Sequence, residues 1–287
     1  MGELYNSNEI NKTKEKLRRL LGFNRVKIVN MIDVHCHLTD DKYADDRKEI
    51  INEAERLKIR MITNGTGTKD SLQATELAKK HPDIWVCVGT AYEDGYENTQ
   101  EVKAELEKLC ELPKVVGIGE TGLNYYEGMT DERKDYQQKL FKTHLDLARE
   151  HNLPVQIHNR GANEDIQRIL KQEYPELKEK VLLHCFTGPA NFMQQMLDWG
   201  CFVSFGGKIT YKTNEELRNL VKTTPENRLL IETDAPYLPP HLHRGERNRP
   251  VNVRIVSEKA AEIRGESLEK LIDQTSDNAH RLFAKMR

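Results

Sequence analysis

The sequence predicts a single TIM (β/α)8 barrel that follows a short N-terminal extension. The chain has 287 residues, and a barrel of this class takes about 250 residues. Eight apolar or β-branched runs alternate with helix-like segments, and no linker divides them into two domains. The first run leads into His-Cys-His, where an open doubly wound sheet would usually carry a glycine-rich phosphate loop. These observations favour a closed barrel over an open sheet.

The first 30 residues differ in composition from the remainder of the chain. Residues 11–27 are polar and basic, with a sparse apolar stripe. This pattern predicts a short amphipathic helix, either as a surface appendage or as an arm that contacts a partner or DNA. We therefore predict an extension over residues 1–30 and a barrel domain over residues 31–287.

The apolar runs place eight strands in order along the chain. They cover residues 31–35, 60–64, 84–89, 115–120, 154–158, 181–185, 201–205 and 228–233. Helical spacing of apolar residues predicts a helix after each strand and one more at the C-terminus. These helices cover residues 43–58, 70–80, 98–110, 131–151, 163–171, 189–198, 213–223, 251–264 and 267–285.

Composition excludes several classes of protein. Lys and Arg total 44 against 46 Asp and Glu, which argues against a strongly basic nucleic-acid coat but allows a local basic groove. No run approaches the roughly 20 apolar residues of a membrane span, and the N-terminus lacks the apolar core of a signal peptide. Five cysteines without CxxC spacing predict neither a disulfide framework nor a thiolate zinc site. A cytoplasmic location is therefore expected.

Six potential metal ligands lie at or just past the ends of five predicted strands: His35, His37, Glu120, His158, His184 and Asp234. In a (β/α)8 barrel this end of the strands carries the active site. A single histidine at a strand end is more often structural than ligating. Repetition on five strands is hard to explain by packing, because each buried polar group would need its own partner. The pattern predicts a site for two divalent metal ions.

Spacing and chemistry assign roles within this set. His35 and His37 are two residues apart, so their side chains leave a strand on the same face. The carboxylate of Glu120 has two oxygens and could bridge two metals, while His158 and His184 could each supply a nitrogen to the second. Mixed nitrogen and oxygen ligands suit Zn, Mn, Co or Ni better than Mg, which prefers oxygen ligands.

Two further acids share strand faces with the ligands. Asp33 lies two residues before His35 and is predicted to orient an imidazole. Glu232 lies two residues before Asp234 and is predicted to support the site from behind the ligands.

The motifs around these residues resemble the TatD family of metal-dependent deoxyribonucleases, in the amidohydrolase-like superfamily. Glu-Thr-Asp-Ala-Pro-Tyr-Leu at residues 232–238 is the most specific of them. The other matching segments are residues 32–38, 119–123, 153–160, 184–188, 244–248 and 281–283, with Asn278. The resemblance covers the chain from Met31 onward. It implies a TIM barrel, a metal site made by the six ligands named above, and hydrolysis of DNA phosphodiester bonds, with 3′-to-5′ exonuclease action on single strands in some members.

The chain departs from the family pattern outside the metal ligands. Thr90-Ala91 stands where Ile/Val-His is usual, Asn124 replaces an Asp, and Arg249 replaces a Glu. Residues 1–30 are additional. These changes are expected to affect residues that surround the substrate and not those that hold metal.

If the reaction is phosphodiester hydrolysis, as the resemblance implies, residues at the rim of the barrel have expected roles. Asp234 would orient or deprotonate the attacking water, which makes it and Glu120 the predicted catalytic residues. Four cations could contact phosphates, with solvated surface charge as the alternative: Arg160, Lys208, Arg244 and Arg247. Four aromatic residues could stack an unpaired base: Tyr125, Tyr126, Phe186 and Tyr237. Single-stranded DNA is the expected partner, and no obligate protein partner is predicted.

Two other functions stay open at this point. The first is a metallohydrolase that acts on an amide, lactone or phosphotriester, because a fold does not fix its substrate. Related enzymes of that kind often bridge their metals with a carboxylated Lys, whereas the strand here offers Glu120, which favours the nuclease. The second is an inactive barrel that serves as a binding module, against which the retention of all six ligands argues.

Overall fold

Eight parallel strands form one sheet in the order in which they occur along the chain. The computed structural model describes residues 31–91 and 98–286. The strands are β1 Met31–Cys36, β2 Ile59–Asn64, β3 Ile84–Val88, β4 Val115–Asn124, β5 Val155–Arg160, β6 Val181–Leu183, β7 Phe202–Phe205 and β8 Leu229–Ile231. Each strand pairs with the next in parallel. The predicted TIM (β/α)8 barrel is confirmed, and the predicted extension lies outside the described residues.

Helices separate the strands and cover the sheet. They are α1 Arg47–Arg56, α2 Thr68–Ala78, α3 Thr99–Cys110, α4 Asp131–Glu150, α5 Asn163–Arg168, α6 Ala190–Trp199, α7 Glu215–Thr223, α8 Val253–Arg264 and α9 Leu268–Leu282. The start of α4 shows how sequence sets these bounds: the Thr130 hydroxyl accepts a hydrogen bond from the Arg133 amide, and Asp131 and Glu132 occupy the first turn. No described helix is long and apolar enough to cross a membrane.

The seam between β1 and β8 is closed by the segment that follows β8. The Asp234 amide donates to the His35 carbonyl at 3.0 Å, and the His37 amide donates to the Ala235 carbonyl at 2.7 Å. The Asp33 carboxylate accepts hydrogen bonds from the Thr233 amide at 2.9 Å and the Thr233 hydroxyl at 2.5 Å. Closure of the barrel therefore brings three of the predicted ligands to one place.

Four strands end two or more residues from their predicted ends, and one of them, β5, runs on to Arg160. The fourth strand runs on to Asn124, because Gly122 lets β4 stay against β5: a Cβ there would lie 2.0 Å from the His158 carbonyl oxygen. The sixth and eighth strands stop early, at Leu183 and Ile231. Soon after each, the chain turns through a residue with positive φ, Cys185 or Asp234.

An apolar cluster fills the barrel at the amino ends of its strands. Its members include Ile32, Val116, Leu182, Phe202 and Leu230, packed with residues of the C-terminal segment. All five cysteines are free thiols. With one end of the barrel packed in this way, the opposite end is left for polar side chains.

His144 on α4 fixes the loop that follows β3. Its Nδ1 donates to the Leu140 carbonyl at 2.8 Å, and its Nε2 accepts from the Thr90 amide at 2.9 Å. Burial lowers the pKa of His144 from 6.5 to about 4. Thr90, one of the departures from the family pattern, is thus a partner of this neutral histidine.

We expect acid to destabilise the fold through His144. Its lowered pKa means that the unfolded chain binds a proton between about pH 6.5 and pH 4, where the folded chain does not. The contribution is therefore complete above pH 6.5 and is lost as the pH falls towards 4, on the order of 3 kcal/mol in total. Urea unfolding of metal-free wild type and His144→Gln near neutrality and near pH 5 measures this. The variant should lose less stability on acidification, and an equal loss would contradict the prediction.

Candidate metal centre

The carboxyl ends of the strands bring all six predicted ligands together. His35 and His158 lie within β1 and β5, and Glu120 lies within β4. His184 immediately follows β6, and Asp234 lies three residues past β8. Nitrogen and oxygen atoms of His35, Glu120 and His184 lie within 4.8 Å of one another, and so do those of His35, His37 and Asp234.

Glu120 stands between two groups of imidazoles. Its Oε2 lies 3.5 Å from His35 Nε2 and 3.4 Å from His37 Nε2. Its Oε1 lies 3.1 Å from His184 Nε2 and 3.2 Å from His158 Nδ1. Asp234 adds its Oδ1 on the first side, 3.4 Å from His37 Nε2. Each carboxylate oxygen of Glu120 therefore faces its own pair of ring nitrogens.

Hydrogen bonds behind the imidazoles decide which nitrogen faces the site. His35 Nδ1 lies 2.8 Å from the Gln156 side-chain oxygen, and His37 Nδ1 lies 3.1 Å from the Asn64 carbonyl oxygen. Both partners can only accept, so each Nδ1 carries a proton, and Nε2 is the ring nitrogen that faces the site. His158 is turned the other way: its Nε2 donates to Asn124 Oδ1 at 3.1 Å, which directs Nδ1 towards Glu120.

Gln156 was missed by the sequence prediction. It is fully buried in β5, and its amide also donates to the Val34 carbonyl at 2.9 Å. It thereby ties the His35 ring to both β5 and β1. A polar residue inside the apolar run Leu-Pro-Val-Gln-Ile, two residues before His158, is the signal that could have identified it.

The two acids predicted to support the ligands occupy different places. Glu232 is fully buried, with one oxygen 3.5 Å from His184 Nδ1 and the other accepting from the Ser204 hydroxyl. Asp33 does not contact an imidazole ring as predicted, since its carboxylate bonds to Thr233 and to the His35 amide. The register of β1 against β2 shifts between Asp33 and Cys36, which interrupts the period-two alternation on which the prediction relied.

The electrostatics of the site favour a bound cation. Burial would raise the pKa of Glu120, but the charge of His184 and hydrogen bonds from His158, His184 and His35 outweigh it and hold the pKa well below its usual range. Burial likewise opposes charge on His37, yet Asp234 and Glu120 raise the pKa of this imidazole to about 9. Two ionised carboxylates therefore keep protons on the nearby imidazoles. Divalent metal ions fit this set of nitrogen and oxygen donors, and their binding would displace those protons.

The rim cations fall into two groups. Arg160 and Arg244 are exposed and Lys208 is half-buried, and none forms an ion pair with an acid among residues 31–91 and 98–286. The Arg244 guanidinium lies 5.2 Å from the Tyr211 ring centre. Arg247 instead donates to the Asp46 carboxylate and the Lys42 carbonyl. Three of the four predicted phosphate contacts therefore keep their charge available.

The other departures from the family pattern also have partners inside the fold. Asn124 bonds to His158, as described above, and its backbone amide donates to Gln137 Oε1 at 2.9 Å. Arg249 forms an ion pair with Glu53 of α1 at 2.6 Å. These substitutions leave the six ligands in place and alter what surrounds them.

A (β/α)8 barrel that gathers four imidazoles and two carboxylates at the carboxyl ends of its strands defines a metal-dependent hydrolase. The chain belongs to the TatD related DNase family, whose model matches residues 32–284. It is accordingly a hydrolase acting on ester bonds.

Relatives and a solved structure agree with this membership. The metal-dependent hydrolase YabD of Bacillus subtilis is 37% identical over 254 residues, which are 88% of this chain and 98% of that protein. The 3′-5′ ssDNA/RNA exonuclease TatD of Erwinia tasmaniensis is 37% identical over 260 residues, covering 88% and 99%. The crystal structure of YjjV, a TatD homolog of Escherichia coli, has a TM-score of 0.83 at 25% identity and covers 90% of this chain and 99% of that chain.

Proposed function

We propose that this protein is a two-metal deoxyribonuclease that removes nucleotides from the 3′ end of single-stranded DNA. The observation that carries the proposal is the position of Glu120, whose two oxygens face two separate pairs of imidazole nitrogens. A two-metal site suits in-line displacement at a phosphodiester, because two cations can stabilise the attacking and the leaving oxygen. The name of the Erwinia relative, a 3′-5′ ssDNA/RNA exonuclease, supports the substrate class and direction.

The ligands divide between two ions. His35, His37 and Asp234 would hold one, His158 and His184 the other, and Glu120 would be shared. Zn, Mn, Co, Ni and Mg are the ions to test, and when bound they supply Lewis acidity and lower the pKa of water.

Asp234 is proposed to orient the attacking water and accept its proton. Its side chain keeps 14% of its surface exposed, whereas that of His35 is completely buried. Burial opposes its ionisation, but a hydrogen bond from His37 and the charges of His35 and His37 lower the pKa of Asp234. An ionised carboxylate with access to solvent, beside the ligands of one ion, is suited to this task.

Arg160, Lys208 and Arg244 are proposed to bind the phosphates of the strand. Arg160 is the last residue of β5, and Lys208 and Arg244 lie in the loops after β7 and β8, so the three follow the rim around one side of the predicted ligands. Cations without an acidic partner keep their charge for phosphate, which dominates the affinity of such complexes. Arg247 is left out of this group because Asp46 and the Lys42 carbonyl engage its guanidinium.

Arg244 and Arg247 form a matched pair for testing the phosphate contacts. Arg244→Met should weaken binding of single-stranded DNA and reduce the slope of log K against log salt by about 0.7, the value for one phosphate on a single strand. Arg247→Met, in the same loop, should leave the slope unchanged. Fluorescence anisotropy with a labelled strand at several salt concentrations measures both. Equal slopes for the two variants would contradict the assignment.

One experiment tests the proposed function. The protein is stripped with a chelator, reloaded with each ion in turn, and incubated with 3′- and 5′-labelled single- and double-stranded DNA. Progressive loss from the 3′ end of single strands supports the proposal. Turnover of an amide, lactone or phosphotriester without DNA cleavage would favour the other metallohydrolase, and metal binding without any turnover would favour a binding module. Glu120→Gln, purified in parallel, controls for a contaminating nuclease.

A further inference from the structure

Tyr237 presents an exposed aromatic ring beside the metal centre. It follows β8 in the loop that contains Asp234, and 40% of its surface is exposed. Its ring centre lies 5.9 Å from that of His37, with the two planes at 75°. An aromatic side chain left open to solvent next to buried ligands gains little from packing, which points to a binding role.

The ring is held in a defined position. Its hydroxyl donates to Asp40 Oδ2 at 2.6 Å, and its backbone amide donates to the Asp234 carbonyl at 2.8 Å. The other oxygen of Asp40 accepts from the Lys42 amide at 2.7 Å, so Asp40 is itself fixed. A platform held before its ligand arrives loses less conformational entropy on binding.

One face of the ring is covered and leaves room for a single base. The Lys42 ammonium lies 3.8 Å from the ring centre, in a cation–π contact. The hydroxyl is bonded to Asp40 and the ring meets His37 at a steep angle. Because Lys42 occupies one face of the ring, a base would have to stack on the opposite face.

We propose that Tyr237 stacks on an unpaired base that flanks the scissile phosphodiester. The proposal rests on the proposed function, because it takes nucleic acid as the substrate. A single strand offers free base faces near its end, whereas in a duplex each base is paired and stacked, so the contact selects for single strands. The short distance from His37 places the platform within one nucleotide of the ligands.

Tyr126 provides a matched control. It is similarly exposed, at 43%, and lies in the loop after β4. Its hydroxyl accepts from Arg133 Nη1 at 2.8 Å, so its fixed partner belongs to α4 rather than to the metal centre. Replacing Tyr126 removes an exposed ring of the same chemistry at a different place on the rim.

The test compares a normal single strand with one whose last two nucleotides are abasic. Wild type should cleave the abasic strand about 5- to 150-fold more slowly in kcat/KM, the range expected for one stacked base. Tyr237→Leu should show a similar loss on the normal strand and little further loss on the abasic one. Tyr237→Phe, which keeps the ring, should retain a clear preference for the normal strand. Tyr126→Leu removes another ring that the sequence offered for stacking, and it should retain the full preference, because Tyr126 is bonded to Arg133 of α4 rather than to the metal centre.

Three outcomes separate this inference from the proposed function. If wild type cleaves both strands equally well, the function stands and the stacking role is overturned. The stacking role would also be overturned if Tyr237→Leu still cleaved the abasic strand more slowly than the normal strand by the same factor as wild type does. If the metal-loaded wild type cleaves neither strand, the proposed function fails and the inference fails with it. Metal content and thermal unfolding of each variant show that the site and fold are intact.

Discussion

Glu120→Gln is expected to lower kcat/KM by well over 100-fold and to leave the site unable to hold two ions. Changes to groups that only orient metal ligands already cost about 10- to 100-fold. Glu120 faces two pairs of imidazoles with its two oxygens, and an amide would turn a neutral NH2 group towards one of them. Metal content after reloading, with kcat/KM on labelled single-stranded DNA, measures both effects.

Single-ligand variants show whether Glu120 is shared. His158→Ala should lose the ion on its side of Glu120 and retain the other, while His37→Ala should do the reverse. Glu120→Asp keeps two oxygens and should bind more metal than Glu120→Gln, although its shorter side chain cannot reach both pairs equally. Two ions per chain with undiminished activity in Glu120→Gln would refute a bridging role.

The barrel, and the convergence of the six predicted ligands at one end of it, could be predicted because their sequence signals are local. A buried parallel strand needs an apolar run, and the ligands stand at the end of such runs. Strand ends were less predictable, since left-handed backbone at Cys185 and Asp234 and close approach at Gly122 depend on neighbours far along the chain.

The groups that orient the ligands were harder still to predict. The Asn64 carbonyl fixes the His37 ring, and a backbone carbonyl carries no signature in the sequence. Asp33 bonds to Thr233 instead of the predicted imidazole ring, because the register of β1 against β2 shifts after Asp33. Arg247 and Arg244 have the same side chain in the same loop, and only their neighbours show which of them is engaged by the protein.

Asp33→Leu is expected to cost about 3–5 kcal/mol of stability, because it opens the seam of the barrel. The Asp33 carboxylate is completely buried and accepts from the Thr233 amide, the Thr233 hydroxyl and the His35 amide. Its removal leaves buried donors without an acceptor, at roughly 1–3 kcal/mol for each group. Since His35 and Asp234 lie on the two sides of this seam, affinity for metal should fall as well.

Thr233→Val is the matched control for the seam. It removes one of the three hydrogen bonds to Asp33, and also the bond that the Ala235 amide donates to the Thr233 hydroxyl, while it keeps the volume of the side chain. A loss of about 2 kcal/mol is therefore expected. Asp33→Asn retains an acceptor for the Thr233 amide and should fall between the two. Urea unfolding of the chelated proteins measures the effect without the added stability that bound metal supplies. Equal stability of Asp33→Leu and Thr233→Val would show that the carboxylate does not hold β1 to the segment after β8, and that the seam depends on the backbone hydrogen bonds of His35 and His37 instead.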